Sequence, residues 1–220
     1  MSAHPPIVDR SAWQSEWQQQ IDREKEWTKA GDRLSAQRRR LPMTEIENYT
    51  FYGADGPVTL LELFGDADQL ILQHFMFHPD WDAGCPSCSN LADSLPNTVH
   101  FGPYGVRFVR VSRAPIEKLT AYSKRMGWTE PWVSSHGNKF NQDWGWTVEG
   151  NELPGVSWLL KVDDRPYLTY RTSGRGVEPL SSQAGYLDRC VFGRQETWED
   201  SPEGWPQQEA FERNRRLDEY

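Results

Sequence analysis

The chain has 220 residues, of which 37% are hydrophobic and 25% charged. At about 150 residues per domain, this length predicts one globular domain with extensions, and the apolar content is too high for a disordered acidic chain. The 24 basic and 32 acidic residues give a net charge of −8, which opposes binding to a phosphate backbone, so we expect no nucleic-acid partner.

The location of the protein is predicted from two absences in its sequence. No apolar run approaches the roughly 20 residues needed to cross a bilayer. The first residues also lack the hydrophobic segment of a secretory signal. We therefore expect a soluble protein in the cytoplasm, without a membrane partner and without a disulfide scaffold.

The N-terminal segment, residues 11–41, has no proline and one glycine. Its apolar side chains recur with approximately helical spacing: Trp13, Trp17, Ile21, Trp27 and Leu34. The pattern predicts one long amphipathic helix, capped by Ser11 and stopped by Pro42. Such a helix needs a surface for its Trp side chains, either on the main domain or on a second subunit, so a homodimer through this helix is one alternative.

After Pro42 the pattern alternates between strands and helices. Strands are predicted over 46–52, 58–60, 69–77, 106–111, 132–133, 156–162 and 167–171. Helices are predicted over 60–64, 86–95, 115–126, near 180–190 and over 207–217. The order implies a βαβ crossover followed by antiparallel strands, which is a mixed α/β sheet flanked by helices.

The residues with the clearest chemistry are Cys85 and Cys88, spaced C-x-x-C directly after a predicted buried strand and at the start of a helix. Unpaired N–H groups and the helix dipole favour a thiolate at that position, which would make Cys85 the nucleophile. Cys88 lies one turn further into the helix and can attack the mixed disulfide to release the partner.

The alternative interpretation of the cysteine pair is a zinc site. A single C-x-x-C supplies half of a tetrahedral site, and His74 or His78 would have to contribute with one further ligand. Because the remaining ligands lack regular spacing, we predict no metal and no cofactor, with His74 a hydrogen-bonded core residue. Cys190, alone in the sequence, is predicted to be a small buried apolar residue.

Five stretches of the sequence carry a family resemblance. They are EKEWTKAGDRLSAQRRRLP at 24–42, FMFHPDWDAGCPSCSN at 75–90, VSRAPIEKLTAYSKRMGWTEPWVSS at 111–135, PGVSW at 154–158 and LDEY at 217–220. Together they closely resemble the bacterial family known as domain of unknown function 899, over nearly the whole chain.

This resemblance implies an α/β fold with a thioredoxin-like, peroxiredoxin-type mixed sheet and dithiol oxidoreductase activity, and it specifies no substrate. With the long N-terminal helix, it divides the chain into three parts. These are a helical extension (1–43), a thioredoxin-like domain (44–175) and a C-terminal extension packed on that domain (176–220).

The substrate-binding residues are predicted to be Trp81, Pro86, Arg113, Trp132 and Pro154. Thioredoxins carry a Trp just before their C-x-x-C and a cis-proline before the third strand, and Trp81 and Pro154 match these features loosely. Arg113 is predicted either to favour the thiolate and hold an anionic substrate, or to form a surface salt bridge.

Further residues near the predicted site come from the middle of the chain. Trp132 and His136 could line a pocket at the carboxyl edge of the sheet, unless they are core and solvent-exposed residues respectively. Asn141, Trp144 and Trp146 lie in a glycine-bounded loop that could cover the site or simply connect two elements.

Three functions are therefore open at the level of sequence. The first is a thiol–disulfide oxidoreductase with a protein or small-molecule disulfide as substrate and an electron donor that the sequence does not identify. The second is a peroxide reductase, which is disfavoured because Asp82 stands three residues before Cys85, where typical peroxiredoxins have Thr or Ser. The third is a metal-binding or structural protein.

Overall fold

A computed structural model describes residues 4–220. Its α-helices are α1 (Arg10–Arg38), α2 (Pro86–Asp93), α3 (Ile116–Met126), α4 (Phe140–Asp143) and α5 (Ser182–Leu187). Its strands are β1 (Thr44–Glu45), β2 (Thr50–Gly53), β3 (Gly56–Thr59), β4 (Gln69–His74), β5 (Val106–Ser112), β6 (Trp132–Ser134), β7 (Thr147–Val148), β8 (Asn151–Glu152), β9 (Gly155–Val162) and β10 (Arg165–Ser173). Short 3-10 turns cover Glu62–Phe64, Thr98–Tyr104, Gly174–Leu180 and Leu217–Glu219. Over this described range, no helix has both the length and the apolar character needed to cross a membrane.

The main sheet has eight strands in the order β1-β10-β9-β4-β5-β6-β2-β3. β4 pairs in parallel with β5, and β5 with β6, while β9 runs antiparallel beside β4. The helices α2 and α3 connect these parallel strands, as βαβ crossovers require. This is the predicted α/β fold, a mixed sheet flanked by helices, with a hairpin before the first central strand.

The sheet separates two apolar clusters. One contains Leu70, Leu72 and Phe140, and the other contains Phe75, Phe77 and the side chains under α2 and α3. Alternation along the strands explains the division, because successive side chains point to opposite faces. Cys88 belongs to the second cluster, so the cysteine pair lies over the α2–α3 face of the sheet.

The long N-terminal helix is present, with one correction at its start. Its cap is Asp9, whose carboxylate accepts a hydrogen bond from the Ala12 N–H at 3.0 Å. The predicted cap, Ser11, lies inside the first turn. Asp and Ser are equally good caps, and here the earlier residue has the extended backbone that a cap needs.

The Trp side chains of α1 are not buried on the main domain. Trp13, Trp17 and Trp27 are 55%, 47% and 71% exposed, and no residue of this helix is buried.

The other alternative, a homodimer through α1, stays a prediction that we base on this uncovered apolar surface. Light scattering of the purified protein should give the mass of two chains, and the mass of one chain at every concentration would contradict it.

The C-terminal part of the chain contains one predicted helix and lacks the other. The helix near 180–190 is present as the shorter α5, but the helix predicted over 207–217 is wrong, because this stretch forms turns. Long-range bonds hold it in another conformation: the Gln208 N–H donates to the Gln195 carbonyl at 2.9 Å, and the Phe211 N–H donates to the Glu196 carboxylate at 2.9 Å. Tertiary contacts here override local helical preference.

Cys190 is also a correction. It follows α5 on the surface and is exposed, so the prediction of a buried apolar residue is wrong. Its position after the helix follows from the local turn, where the thiol lies 3.6 Å from the Tyr186 carbonyl.

Candidate active site

The loop from β4 to α2 begins at the carboxyl edge of the parallel strands. Regular pairing ends at His74, three residues before the predicted end of the strand, but the chain remains hydrogen-bonded to the end of β5 and to the segment that follows it. The Phe75 N–H donates to the Val111 carbonyl at 3.0 Å, and the Ala114 N–H donates to the Phe77 carbonyl at 2.8 Å. The next part of the loop is held by the Lys118 ammonium, which donates to the carbonyls of Pro79 and Trp81.

Gly84 determines how closely this loop approaches the core. A Cβ atom at this buried position would lie 2.5 Å and 2.9 Å from ring carbons of Phe75 and 3.1 Å from the Tyr122 ring. Both rings are buried, so neither can move aside easily. Only glycine lets the chain pass here, and the Cys85 N–H then donates to the Met76 carbonyl at 3.1 Å.

The two cysteines occupy different positions at the start of α2. Cys85 is the N-cap residue and is half-buried, while Cys88 lies within the first turn and is 4% exposed. Pro86 takes the first helical position, where a missing N–H costs nothing. Both thiols are free, so the structure shows the reduced dithiol.

The surroundings of the pair favour a charge on Cys85. Mainly because the Cys88 thiol donates a hydrogen bond to it, the pKa of Cys85 is lowered to about 6. The N–H groups of Cys88 and Ser87 and the charge of Arg216 act in the same direction, and burial acts against them. The contribution of these backbone N–H groups is smaller than that of the Cys88 thiol.

Cys88 has the opposite behaviour. Its hydrogen bond to Cys85, its burial and the charge on Cys85 raise the pKa of the Cys88 thiol well above its ordinary value. The pair therefore shares one proton, which resides on Cys88, while Cys85 is the thiolate.

Buried hydrogen bonds connect α2 to α3 directly below the cysteines. The Ser89 hydroxyl donates to the Cys85 carbonyl at 2.9 Å and lies 2.9 Å from the Tyr122 hydroxyl. Burial raises the pKa of Tyr122, so this hydroxyl stays neutral. The helix start is thus rigidly supported from inside the protein.

The C-terminal residues complete the site, and the sequence reasoning missed them. Nε and Nη2 of Arg216 donate to the Gly84 carbonyl at 3.0 and 2.8 Å, and the Asn214 amide donates to the Ser87 hydroxyl at 3.1 Å. Both contacts lie within one residue of a cysteine. The only sequence signal near them was the terminal LDEY motif, which carried the family resemblance but no chemical interpretation.

Three of the predicted substrate-binding residues are at least partly exposed and lie close in the fold to the loop that carries the cysteines. Trp81 is 40% exposed in the loop before Cys85, and Pro86 is half-buried next to that cysteine. Pro154 is half-buried directly before β9, next to the end of β4. The loose match of Pro154 to the cis-proline of thioredoxins does not extend to a cis bond, because no peptide bond among the described residues is cis. Regular antiparallel pairing of Gly155 with His74 is reached here with a trans bond.

The predicted roles of Trp132 and Arg113 are corrected as well. Trp132 is 7% exposed, and its indole N–H donates to the Ser112 hydroxyl at 3.1 Å, so it is a core residue beneath the helices and has little surface for a substrate. Arg113 forms an ion pair with the buried Glu152, with 2.5 Å between Nε and Oε1. This pairing is the salt-bridge alternative, and Arg216 is the arginine that contacts the dithiol loop.

The glycine-bounded loop does not cover the site. His136 is exposed, whereas Asn141 is buried and accepts a hydrogen bond from the Ser135 hydroxyl at 2.7 Å. Trp146 is buried and Trp144 half-buried, and both belong to the cluster on the other face of the sheet. The loop is therefore a connection whose aromatic residues fill the core.

His74 is the core histidine that was predicted. Its Nε2 lies 2.8 Å from the Ser157 hydroxyl, and its ring stacks on Trp146 with 3.7 Å between ring centroids. Burial lowers its pKa well below the ordinary value, so it is neutral. Within residues 4–220, no group of three or more His, Cys, Asp or Glu side chains is arranged to hold a metal ion.

Comparisons with known proteins place the chain among bacterial sequences. The family described as "Bacterial protein of unknown function (DUF899)" matches residues 2–220. No curated protein matches the sequence.

Several solved structures are similar to part of the chain. Peroxidoxin BcpB from Mycobacterium tuberculosis has 17% identity and a TM-score of 0.47, with 60% of this chain and 85% of that chain covered. The mitochondrial 2-Cys peroxiredoxin from Plasmodium falciparum has 14% identity and a TM-score of 0.45, with coverage of 60% and 81%. A putative protein disulfide isomerase from Bacteroides thetaiotaomicron has 19% identity and a TM-score of 0.41, with coverage of 60% and 82%.

Proposed function

The chain belongs to the DUF899 family of bacterial proteins, and we propose that it is a thiol–disulfide oxidoreductase whose reacting groups are Cys85 and Cys88. The observation that carries this proposal is the asymmetry of the two thiols. Cys85 is accessible and its pKa is lowered to about 6, whereas Cys88 is buried and its pKa is raised. A nucleophile and a resolving thiol need this difference.

In the first step, the Cys85 thiolate attacks one sulfur of a substrate disulfide. A bond forms between Cys85 Sγ and that sulfur, the substrate S–S bond breaks, and the other substrate sulfur leaves as a thiolate. Once Cys85 has lost its charge, the hydrogen bond that held the proton on Cys88 is lost too, so Cys88 can ionise more readily.

In the second step, Cys88 releases its proton to the solvent or to the departing thiolate and attacks Cys85 Sγ. The mixed disulfide breaks and the second substrate sulfur leaves, so the substrate has gained two electrons and the protein holds a Cys85–Cys88 disulfide. A cellular dithiol would reduce this disulfide again by the same exchange.

The substrate is a protein or small-molecule disulfide that can approach the exposed side of Cys85. Trp81 and Pro86 flank the cysteine in the sequence, and Pro154 lies beside the end of the strand that leads to it. We propose these three residues as substrate contacts. Peroxide reduction is not proposed, because Asp82 stands three residues before Cys85, where typical peroxiredoxins have a Thr or Ser hydroxyl to donate a hydrogen bond.

The proposal is tested by counting thiols before and after mild oxidation. Reduced protein should show three thiols, and oxidised protein should show one, because Cys85 and Cys88 have joined. Mass spectrometry should find the loss of two hydrogens within a single chain, and a dithiol reductant should restore all three thiols. The Cys190→Ser variant is the control, and it should still lose two thiols. Oxidised protein in which Cys85 and Cys88 both remain free would exclude the function.

A further inference from the structure

The C-terminal segment, residues 214–219, lies against the loop that carries the two thiols. Arg216 donates two hydrogen bonds to the carbonyl of Gly84, the residue before Cys85. Asn214 donates to Ser87, one of the two residues between the cysteines. The segment therefore touches the dithiol loop on both sides of the nucleophile.

The same segment is anchored to the protein at a second place. Arg125 of α3 donates through Nε and Nη2 to the two carboxylate oxygens of Asp218, at 2.5 and 2.9 Å. This bidentate geometry is the stronger form of arginine–carboxylate pairing. It fixes the 3-10 turn Leu217–Glu219 beside α3, and thereby the position from which Arg216 reaches Gly84.

The guanidinium of Arg216 is held at both edges. The Glu219 carboxylate accepts hydrogen bonds from the Arg216 backbone N–H at 2.9 Å and from Nη1 at 2.5 Å, while Nε and Nη2 face Gly84. The side chain is only one-fifth exposed, so its charge is partly removed from solvent. Hydrogen bonds to Glu219 and to Gly84 therefore fix the orientation of the guanidinium.

We infer that Arg216 is a positioning residue of the redox site, which holds the Gly84 carbonyl in place and keeps a positive charge beside the Cys85 thiolate. This inference rests on the proposed function, since it assigns a task that only a reactive Cys85 requires. It makes the C-terminal segment a part of the active site, although 132 positions of sequence separate Arg216 from Gly84.

The other charged and titratable groups around this site do not replace Arg216. Cys88 keeps its proton, and Tyr122 stays neutral because burial raises its pKa. The charge of Asp218 is matched by Arg125. Glu219 stays ionised because Arg216 lowers its pKa, and its negative charge offsets part of the effect of Arg216. Among these groups, the guanidinium is the cation that favours a negative charge on Cys85.

The test is the pH dependence of Cys85 alkylation by iodoacetamide, measured in the Cys190→Ser background. The Arg216→Gln variant removes the charge but keeps a hydrogen-bond donor. Because a nearby charge shifts a pKa by on the order of one unit, the thiolate fraction near pH 6 should fall about fivefold. The less acidic thiolate is also about threefold more nucleophilic, so we expect a roughly twofold lower rate near pH 6 and a higher rate in the alkaline plateau. Arg216→Lys should restore most of the acidic-side rate, since it restores the charge.

Arg215→Gln is the matched control, because Arg215 is exposed next to Arg216 and makes no hydrogen bond or ion pair to any residue in the range 4–220. It should leave the profile unchanged. If Arg216→Gln does not fold, the Arg216→Lys variant is compared with the parent instead. A lysine cannot reproduce the paired hydrogen bonds of Arg216, so the pH midpoint of Cys85 alkylation should lie slightly higher in this variant than in the parent.

The outcomes separate this inference from the proposed function. A parent midpoint near pH 6 that neither substitution moves would overturn the role of Arg216 and leave the oxidoreductase proposal standing. A parent midpoint at the value of an ordinary thiol would instead contradict the proposed function itself.

Discussion

Replacing Cys85 with serine should abolish disulfide reduction, whereas replacing Cys88 with serine should stop the reaction after its first step. The serine hydroxyl is not ionised at neutral pH, so the Cys85→Ser variant has no nucleophile at the partly accessible position, and we expect its rate to fall by about a hundredfold or more. The Cys88→Ser variant keeps the nucleophile and loses only the resolving thiol. It should therefore accumulate a stable mixed disulfide between Cys85 and the substrate.

Neither substitution should disturb the fold. Serine is a good N-cap residue, so α2 should still start at the same position in the Cys85→Ser variant. In the Cys88→Ser variant the hydroxyl can donate the hydrogen bond that the Cys88 thiol donates in the parent. Differences in rate between the two variants should therefore reflect their chemistry and not their structure. Circular dichroism spectra of the two variants, which should match that of the parent, check this.

The measurement uses a chromogenic aromatic disulfide in excess, followed by mass spectrometry of the intact protein. Cys190→Ser serves as the parent for all variants, so that the exposed third thiol does not react. Equal rates for the Cys85→Ser and Cys88→Ser variants would contradict the assignment of nucleophile and resolving thiol. A faster reaction of the Cys85→Ser variant, with a mixed disulfide on Cys88, would reverse it.

The local part of the site could be predicted from sequence because it depends on neighbouring residues. A buried apolar strand, a loop with glycine and a helix starting at Pro86 are encoded within about twenty positions, and the order of Cys85 and Cys88 follows from the direction of the helix. The interpretation of His74 as a core residue also depended on local alternation along a strand.

The arginine of the site could not be predicted in the same way. Arg113 follows the strand next to the reactive loop, so its sequence position favours it as the arginine of the site. In the structure, however, it forms an ion pair with the buried Glu152. Arg216 reaches the site through the path of the C-terminal segment, which depends on tertiary contacts such as Arg125 with Asp218. No periodicity in the sequence encodes a contact of this kind.

Two further differences have the same physical origin. The stretch 207–217 has helical preferences, yet its backbone N–H groups donate to the Gln195 carbonyl and the Glu196 carboxylate, which hold it in turns. Trp132 was predicted to line a pocket because it stands at the end of a short strand, but the helices α2 and α3 cover it. In both cases the partner that decides the conformation or the burial lies in another segment of the chain.

The second large effect concerns the pH at which Cys85 reacts. With its pKa lowered to about 6, Cys85 should be mostly thiolate at neutral pH, whereas free cysteine, with a pKa of about 8.5, is only a few per cent ionised. The nucleophilicity of a thiolate falls as its pKa falls, which offsets part of this advantage. Combining the two effects, we expect Cys85 to react roughly tenfold faster than free cysteine near pH 6 and more slowly than free cysteine in alkaline solution.

The sign of the effect follows from the charge of the reacting form. Lowering the pH through the pKa of Cys85 protonates the thiolate, so the rate must fall on the acidic side and reach a plateau above it. The raised pKa of Cys88 keeps the second thiol unreactive over the same range, so only one cysteine contributes to the profile. When the reaction rates of Cys85 and of free cysteine are plotted against pH, the two curves should therefore cross. Such a crossing is expected only for a thiol with a lowered pKa.

The most direct measurement is therefore the rate of iodoacetamide alkylation of the Cys190→Ser protein as a function of pH, with the modified cysteine identified by peptide mass spectrometry. We expect modification of Cys85 alone, a midpoint near pH 6 and a flat rate above neutral pH. A profile that rises only through the range of an ordinary thiol, or equal modification of Cys85 and Cys88, would contradict this expectation.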